Sequence, residues 1–242
     1  MKVAVITPYH EPNSPYLKDC IASVKRQTHS DLIHVMIGDG CTLPPELIHP
    51  NLHNIPLPQR LNNYGDSPRS IGVVYAFALG VDAVAFLDSD NWYAENHIES
   101  MAKHCLATQS DVVTSLRYIA HLNGETLGVC PESDGKMFCD TNCLFITRKL
   151  AEEAGVWWLI PEDMHVIDDR VIWDTLIHAT DQISSTGTPT VFYRSSFEVH
   201  YRMFKIPTPP DTKFGMDIYA LHPTIHALQQ RAIERAKSRE NG

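Results

Sequence analysis

The chain contains no long hydrophobic run, no C-x-x-C pair and no excess of basic residues. Its 242 residues include 20 Lys and Arg against 29 Asp and Glu, which gives a formal net charge of −9. This charge argues against a protein whose main partner is nucleic acid or an anionic membrane. No apolar stretch reaches the roughly 18 residues that a transmembrane helix requires. We therefore expect a soluble protein with no nucleic-acid partner and no transmembrane segment.

Cysteine is present, but it is not arranged as a metal site or a disulfide framework. The six cysteines are Cys20, Cys41, Cys105, Cys130, Cys139 and Cys143. The spacing of Cys130, Cys139 and Cys143, taken with His121, matches no common zinc pattern. One Lys and a short apolar run that ends at Pro8 predict a first strand and not a signal peptide. We therefore expect free thiols and a cytoplasmic location.

The order of apolar segments predicts the fold class. Hydrophobic residues make up 43% of the chain, which is enough for a large core. Strand-like and helix-like segments alternate in the first half, which favours an α/β fold with one mixed, Rossmann-like sheet flanked by helices. The second half is less regular. The predicted strands are Lys2–Thr7, Leu32–Ile37, Leu52–Ile55, the run before Asp88, Val112–Ile119, Asn142–Thr147 and Thr190–Tyr193. The predicted helices are Tyr16–Gln27, Ser67–Leu79, Ala94–Thr108, Arg148–Ala154, Asp168–Thr180 and Pro223–Arg239.

The most informative segment is Val84-Ala-Phe-Leu-Asp88-Ser-Asp90, in which an apolar run stops at two aspartates. If this segment is extended, Asp88 and Asp90 point to the same side of the chain. Two carboxylates in that arrangement can hold a divalent cation, and oxygen ligands suit Mg²⁺ or Mn²⁺. Open α/β sheets bind their ligands at the ends of such strands. The segment is therefore a candidate metal site.

Five segments between residues 3 and 93 carry a resemblance to one family. They are VAVITPYH from Val3, YLKDCIASVKRQT from Tyr16, IGDGCT from Ile37, PRSIG from Pro68 with ALG from Ala78, and FLDSD from Phe86. In this order they resemble the first strand, first helix, acidic turn, A-R-N-x-G helix and D-x-D element of family 2 glycosyltransferases, which have the GT-A fold. Beyond residue 93 the resemblance thins, as expected where acceptor specificity varies.

The resemblance implies a nucleotide-sugar site, with a UDP-sugar as the expected donor. Thr7, Pro8 and Tyr9, in the loop after the first strand, would contact the nucleotide together with Asp39. The carboxylate of Asp39 accepts hydrogen bonds only, which suits the N3–H of uracil. The alternative for Asp39 is a structural role in a turn between two glycines.

The family's D-x-D roles divide between the two aspartates. Asp88 would lie near the ribose and the metal, and Asp90 would ligate Mn²⁺ or Mg²⁺. The cation bridges the diphosphate and neutralises charge on the departing nucleotide. Arg69 would lie near the base or a phosphate, or would form a salt bridge on a helix surface.

The second half supplies further candidates for donor binding. Several GT-A enzymes place a metal-binding histidine where His200 follows the last predicted strand, although a surface role is the alternative among 13 histidines. Arg202 and Lys205 would reach phosphate from the same loop. Trp157 and Trp158 would either stack on a sugar ring or belong to the core.

The general base is expected in Asp168-Asp169-Arg170, which resembles the family's E-D element. In inverting transfer such a carboxylate removes the proton of the acceptor hydroxyl. The resemblance makes Asp169 the base, with Asp168 as the alternative. Capping of the helix N-terminus also explains both acids. Glu162 and Asp163 form a second, weaker candidate pair.

These observations predict a metal-dependent, inverting and non-processive glycosyltransferase. Its acceptor would be a hydroxyl of a glycan, a lipid-linked molecule or another compound. Residues 1–93 would form the nucleotide-sugar half and residues 94–242 the acceptor half of one compact domain. The alternatives are a sugar-phosphate nucleotidyltransferase and an inactive relative that binds nucleotide-sugars. The basic segment Gln229–Arg239 predicts contact with a partner or a membrane surface, or a solvated terminal helix.

Overall fold

The computed structural model describes residues 1–210, 212–213 and 223–240. The strands are β1 Val3–Tyr9, β2 Leu32–Gly38, β3 Leu52–Pro56, β4 Ala83–Phe86, β5 Trp92–Tyr93, β6 Val112–Ala120, β7 Thr126–Val129, β8 Leu144–Thr147 and β9 Ile183–Arg194. The helices are α1 Pro15–Lys25, α2 Asp66–Ala78, α3 His97–Thr108, α4 Ala151–Ala154, α5 Asp168–Ala179, α6 Glu198–Met203 and α7 Pro223–Glu240. Short 3₁₀ turns lie at Pro45–Leu47, Thr141–Cys143, Arg148–Leu150, Val156–Leu159 and Glu162–Ile167.

In the described part of the chain, the nine strands form one mixed sheet. The order is β3-β2-β1-β4-β8-β6-β9-β5, and β7 pairs with β6. β3, β2, β1 and β4 run parallel, whereas β8 lies antiparallel between β4 and β6. β6 and β9 are parallel to each other, and the short β5 is antiparallel to β9. The predicted α/β class with one mixed sheet is confirmed.

The first strand extends beyond its predicted end at Thr7. It continues through Pro8 and Tyr9, which pair with Ile37 and Gly38 of β2. β4 pairs with β1 only as far as Ile6, opposite Phe86. Pro8 therefore has a neighbouring strand on one side only, where a residue without an N–H is tolerated.

The carboxyl end of β4 differs from the extended segment that the sequence predicted. The strand ends at Phe86, and the backbone N–H of Asn91 donates to the Asp88 carbonyl at 3.0 Å. Asp88 to Asn91 therefore form a turn, and the two aspartates are not alternate residues of a strand. This expectation was wrong because turn residues Ser89 and Asn91 follow the apolar run.

The predicted strand at Asn142–Thr147 begins two residues later than expected. Thr141–Cys143 forms a 3₁₀ turn, and β8 starts at Leu144. The side chain of Asp140 accepts a hydrogen bond from the backbone N–H of Asn142 at 3.0 Å. This capping bond holds the turn and delays the strand.

The last described helix packs on the body of the protein. Ile225 and Leu228 of α7 are buried in a cluster with Ile167, which precedes α5. Arg235 adds an ion pair to Asp181 at 2.6 Å. No helix in the described residues has the length and apolar character needed to cross a membrane.

Candidate active site

Asn142 holds the carboxyl end of β4 in place. Its Oδ1 accepts the backbone N–H of Asp88 at 2.7 Å, and its Nδ2 donates to Asp88 Oδ2 at 2.8 Å. The same Nδ2 donates to Asp140 Oδ1 at 2.9 Å, and Asp140 is paired with the buried Arg117. Asn142 itself is completely buried. The sequence interpretation missed this residue, which fixes both the backbone and the side chain of Asp88.

Arg69 lies at the centre of three carboxylates. Its Nη2 donates to Asp88 Oδ1 at 2.7 Å, and its Nη1 lies 3.3 Å from Asp168 Oδ2 and 3.4 Å from Asp66 Oδ1. The arginine is only 5% exposed, so these ion pairs are largely shielded from water. The predicted helix-surface salt bridge is therefore wrong for Arg69. One guanidinium connects the D-x-D turn to the start of α5.

Three carboxylates around one cation leave an excess of negative charge. Burial lowers the pKa of Arg69, but the charges of Asp88, Asp168 and Asp66 outweigh this effect and raise it. Burial raises the pKa of Asp66 to about 6, and burial also raises that of Asp168. Asp66 additionally lies 2.5 Å from His165 Nδ1. The neighbouring carboxylates repel one another, which adds to the effect of burial on both acids.

The acidic pair begins α5, as predicted. Asp168 Oδ1 accepts the N–H of Asp169 at 2.6 Å, and Asp169 Oδ1 accepts the N–H of Arg170 at 2.8 Å. Both acids therefore satisfy backbone donors of the first helical turn. Burial, the charge of Asp168 and the charge of Asp140 raise the pKa of Asp169 to about 7. Asp169 is thus half-buried and changes protonation near neutral pH.

Asp90 is exposed at the end of the turn. The surrounding protein partly desolvates its carboxylate, and this effect together with the charge of Asp88 raises its pKa to about 7. The backbone is held by Arg194, whose Nη1 donates to the Asp90 carbonyl at 2.5 Å. Arg194 also lies between the rings of Tyr16 and Trp92.

Of the two carboxylates at this turn, that of Asp90 suits a cation that prefers oxygen ligands, whereas that of Asp88 is already occupied. Within the described residues, no three His, Cys, Asp or Glu side chains come together as a metal site. Both oxygens of Asp88 are already bound by Arg69 and Asn142. Asp90 has solvent access and carries excess negative charge, which a cation would offset. Mg²⁺ typically takes one or two carboxylates and completes its shell with phosphates and water, so a site centred on Asp90 is compatible with this geometry.

Asp39 shapes the loop that precedes α2. Its Oδ1 accepts the N–H of Leu61 at 2.7 Å and its Oδ2 accepts the N–H of Asn62 at 3.1 Å. The carboxylate is largely buried. A carboxylate has about four acceptor positions, so these two bonds leave capacity for a further donor. The structure thus gives Asp39 a local structural role and leaves room for its predicted nucleotide contact.

Two residues at the end of β1 direct their side chains into the core. Thr7 Oγ1 lies 2.9 Å from Nε2 of the buried His34. Tyr9 is 2% exposed, and its hydroxyl donates to Asn54 Oδ1 at 2.7 Å. Pro8 is buried and packs on the glycine that precedes α2, Gly65. Any contact of Thr7 or Tyr9 with a nucleotide would therefore involve the backbone.

His200 lies on α6, and among the described residues it belongs to no group of three His, Cys, Asp or Glu side chains that could hold a metal. Its Nδ1 is 2.7 Å from Ser195 Oγ, and the ring meets Tyr193 and Phe197 edge-on. Burial and the charge of Arg117 lower the pKa of His200 to about 4, so the imidazole is neutral at physiological pH.

The two basic residues that follow His200 are exposed. Arg202 pairs with Glu198 on its own helix at 2.6 Å. Lys205 has a positive φ of 56° just beyond α6. Arg202 is therefore held on its own helix, and Lys205 lies exposed after it.

The adjacent tryptophans have different environments. Trp157 is completely buried, with its ring 5.4 Å from that of Phe86 and 4.9 Å from the Arg69 guanidinium carbon. Trp158 is 64% exposed. Trp157 is therefore a core residue and cannot stack on a sugar. Glu162 and Asp163, the second candidate pair, lie exposed in a 3₁₀ turn upstream of α5.

Comparison with known proteins settles the family. Residues 4–128 match the model of the family described as "Glycosyl transferase family 2". The chain belongs to glycosyltransferase family 2. It is 26% identical over 121 residues to glycosyltransferase GlyA of Streptococcus pneumoniae serotype 4. That match covers 48% of this chain but only 17% of GlyA.

Solved structures of S. aureus TarS share the fold of this family 2 member. Residues 1–349 of TarS in complex with UDP-GlcNAc superpose with a TM-score of 0.67 at 16% identity, covering 94% of this chain and 66% of that one. A second structure of TarS 1–349 gives a TM-score of 0.66 at 16% identity, covering 98% of this chain and 72% of that one. At this identity the similarity shows the fold alone. The predicted GT-A fold is confirmed.

Proposed function

We propose that this glycosyltransferase transfers a sugar, with inversion, from a UDP-sugar to a hydroxyl acceptor. The supporting observation is the bridge that Arg69 makes between Asp88 and Asp168. These residues are 80 positions apart, and one guanidinium contacts both the turn at Asp88 and the acidic pair at the start of α5. A TarS structure that contains UDP-GlcNAc supports UDP as the nucleotide. Family membership favours glycosyl transfer over the nucleotidyl transfer considered as an alternative.

Asp169 is our candidate for the general base. It must be deprotonated to accept the proton of the acceptor hydroxyl, and a pKa of about 7 places that change near working pH. Asp168 is less suitable because its Oδ2 is paired with Arg69, and burial raises its pKa well above the usual range. Asp168 would instead position Arg69, and through it Asp88.

Donor binding would use groups on both sides of the turn. Asp90, with Asp88 beside it, would hold Mn²⁺ or Mg²⁺. When bound, the cation would supply positive charge to the departing nucleotide diphosphate. Asp39 would accept from the base, and Arg202 and Lys205 would be drawn to the phosphates from the α6 segment. His200 remains a proposed ligand, and its Nε2 would bind the metal while Nδ1 keeps its contact with Ser195.

The two halves of the chain would divide the work. Residues 1–93 would bind the nucleotide-sugar, and residues 94–242 would supply the base and the acceptor surface. We propose one transfer per encounter, because the sequence contains no Q-x-x-R-W element of processive synthases. The match covers less than a fifth of GlyA, so the partners and the acceptor of GlyA are not assigned to this chain.

Calorimetry with UDP and Mn²⁺ tests the donor site. We expect saturable binding that requires the metal and is lost in Asp90→Ala. Asp163→Ala is the matched control, because this exposed acid lies outside the proposed metal site. Wild-type protein that binds no UDP with or without Mn²⁺, or an Asp90→Ala variant with unchanged affinity, would contradict the proposal.

A further inference from the structure

The loop from Arg60 to Gly65 has an unusual backbone. Asn62, Tyr64 and Gly65 have φ angles of 56°, 55° and 91°. Glycine adopts this left-handed region without cost, and asparagine does so with help from its short polar side chain. Tyrosine has neither advantage, so a positive φ at a bulky residue is a true outlier. Tyr64 therefore adopts its conformation at an energetic cost to the folded state.

The side chain of Tyr64 is also placed unfavourably for stability alone. It is 69% exposed, which is more than any other large hydrophobic residue described. Burial of an aromatic ring is among the largest stabilising contributions that a side chain makes. The fold gains little from this ring and accepts backbone strain to present it. Strained residues that persist in this way cluster at ligand sites.

The loop is fixed to site residues on both sides of Tyr64. The Tyr64 carbonyl accepts from Arg69 Nη1 at 3.0 Å, and the same guanidinium binds Asp88 and Asp168. Two residues earlier, the backbone of Asn62 donates to Asp39. Tyr64 therefore lies between two fixed points of the loop: the bond to Asp39, which is proposed to contact the nucleobase, and the bond to Arg69.

Packing at Gly65 prevents the loop from relaxing. A Cβ added there would lie 2.9 Å from Pro8 Cγ and 3.3 Å from Arg69 Nη1. The first contact is shorter than real Cβ atoms show, so only glycine permits this close approach to β1. The position of Tyr64 is therefore determined by the neighbours of the loop on three sides.

We propose that the ring of Tyr64 packs against the nucleobase of the donor. The inference rests on the proposed nucleotide-sugar activity and adds a residue to its donor site. An aromatic face suits a planar base, and stacking of this kind does not require a hydrogen bond from the phenol. The nucleobase is favoured over the acceptor because the loop is bonded to Asp39.

Calorimetry with UDP and Mn²⁺ on four proteins tests this role. Tyr64→Phe keeps the ring and is expected to bind UDP as wild type does. Tyr64→Ala and Tyr64→Gly are expected to bind roughly 5- to 100-fold more weakly. Because glycine adopts the positive φ freely, Tyr64→Gly is expected to have an unchanged or higher unfolding midpoint. Loss of affinity without loss of stability distinguishes ligand contact from a structural role.

Gln109→Gly provides the matched control. Gln109 has a φ of 56°, close to the 55° of Tyr64, at the exposed end of α3, so it tests glycine at a left-handed position outside the loop. We expect unchanged UDP affinity and an unchanged or higher unfolding midpoint. If wild type binds no UDP, the proposed function fails. If wild type binds and Tyr64→Ala binds equally well, or Tyr64→Phe is as weak as Tyr64→Ala, the stacking role alone is overturned.

Discussion

Asn142 binds Asp88 twice, once at the backbone N–H and once at the carboxylate. Asn142 reaches Asp88 from the 3₁₀ turn before β8, which runs antiparallel to β4. Because the strands are antiparallel, the start of β8 lies beside the end of β4. The orientation of the D-x-D turn therefore depends on an amide in the second half of the chain.

Replacement of this amide should weaken the donor site. Asn142→Asp removes the donor to Asp88 and adds a negative charge beside Asp88 and Asp140. We expect affinity for UDP with Mn²⁺ to fall roughly 10- to 100-fold, as is typical for residues that orient a ligand. Calorimetry measures the affinity, and circular dichroism confirms the fold. Asn96→Asp, at an exposed position with no capping bond, is the control; an equal loss in both variants would contradict the role.

Loss of the buried guanidinium should be much more costly than loss of a surface one. Arg69→Met leaves Asp66, Asp88 and Asp168 without their common cation, and we expect a loss of about 3–5 kcal/mol in unfolding free energy. Arg202→Met removes an ion pair whose arginine is 74% exposed, and we expect a change below about 1 kcal/mol. Urea unfolding at pH 7 measures both. Similar small changes would show that the three acids are neutral or solvated.

Replacement of the two adjacent tryptophans should likewise cost much more stability at the buried position than at the exposed one. Trp157→Ala removes a completely buried ring, for which we expect a loss of about 3–5 kcal/mol. Trp158→Ala truncates an exposed side chain, and we expect a change within about 0.5 kcal/mol. The two variants remove the same side-chain atoms at adjacent positions, so each controls for the other. Equal destabilisation would be inconsistent with the burial described here.

Activity should depend on the protonation of Asp169. The proposed base would work only when deprotonated, so we expect the transfer rate to fall as pH decreases below about 7. Asp169→Asn should retain UDP binding and lose transfer, whereas Asp163→Asn should keep both. Initial rates measured across pH test this, once an acceptor has been identified by screening. A full rate in Asp169→Asn would place the base elsewhere.

The carboxyl of Asp169 should also affect stability, but its contribution to stability should fall as pH rises, whereas its contribution to activity should increase. Its pKa is raised in the folded protein, so the native state binds more protons than the unfolded state between about pH 4 and 7. Its contribution is therefore greatest at low pH and is lost as pH rises through 7. We expect Asp169→Asn to gain stability relative to wild type as pH rises from 5 to 8. A pH-independent difference in unfolding midpoint would contradict the raised pKa.

Local sequence patterns predicted most elements because apolar runs and turn residues act over short distances. The strand before Asp88 and the helix at Asp168 were located within two residues of their observed bounds. The ordered segments also identified Asp88, and the separate acidic pair that resembles the E-D element included Asp168; the structure brings both carboxylates to one arginine. Neither result required knowledge of which strands are neighbours.

Asn142 and Arg194 could not be found in this way. Asn142 precedes an apolar strand, and a polar residue there is significant only if that strand is antiparallel to β4. Strand direction depends on the path of the whole chain, which periodicity does not report. The sequence itself shows only that polar residues, Asp140-Thr-Asn142, precede an apolar run, which indicates a turn but not its contact with Asp88. Arg194 likewise gains its role because β9 pairs with β5, about a hundred residues earlier.

The sheet order has a consequence for synthesis of the protein. The two side chains that hold the D-x-D turn follow it by 54 and 104 residues, from Asn142 and Arg194 respectively. At ribosomal rates, Arg194 emerges roughly 5–20 s after the turn that it supports. A nascent chain that already contains both aspartates thus has no rigid donor site. We therefore expect a nucleotide to stabilise the protein only after translation has passed β9, as a late ligand and not as a template for early folding.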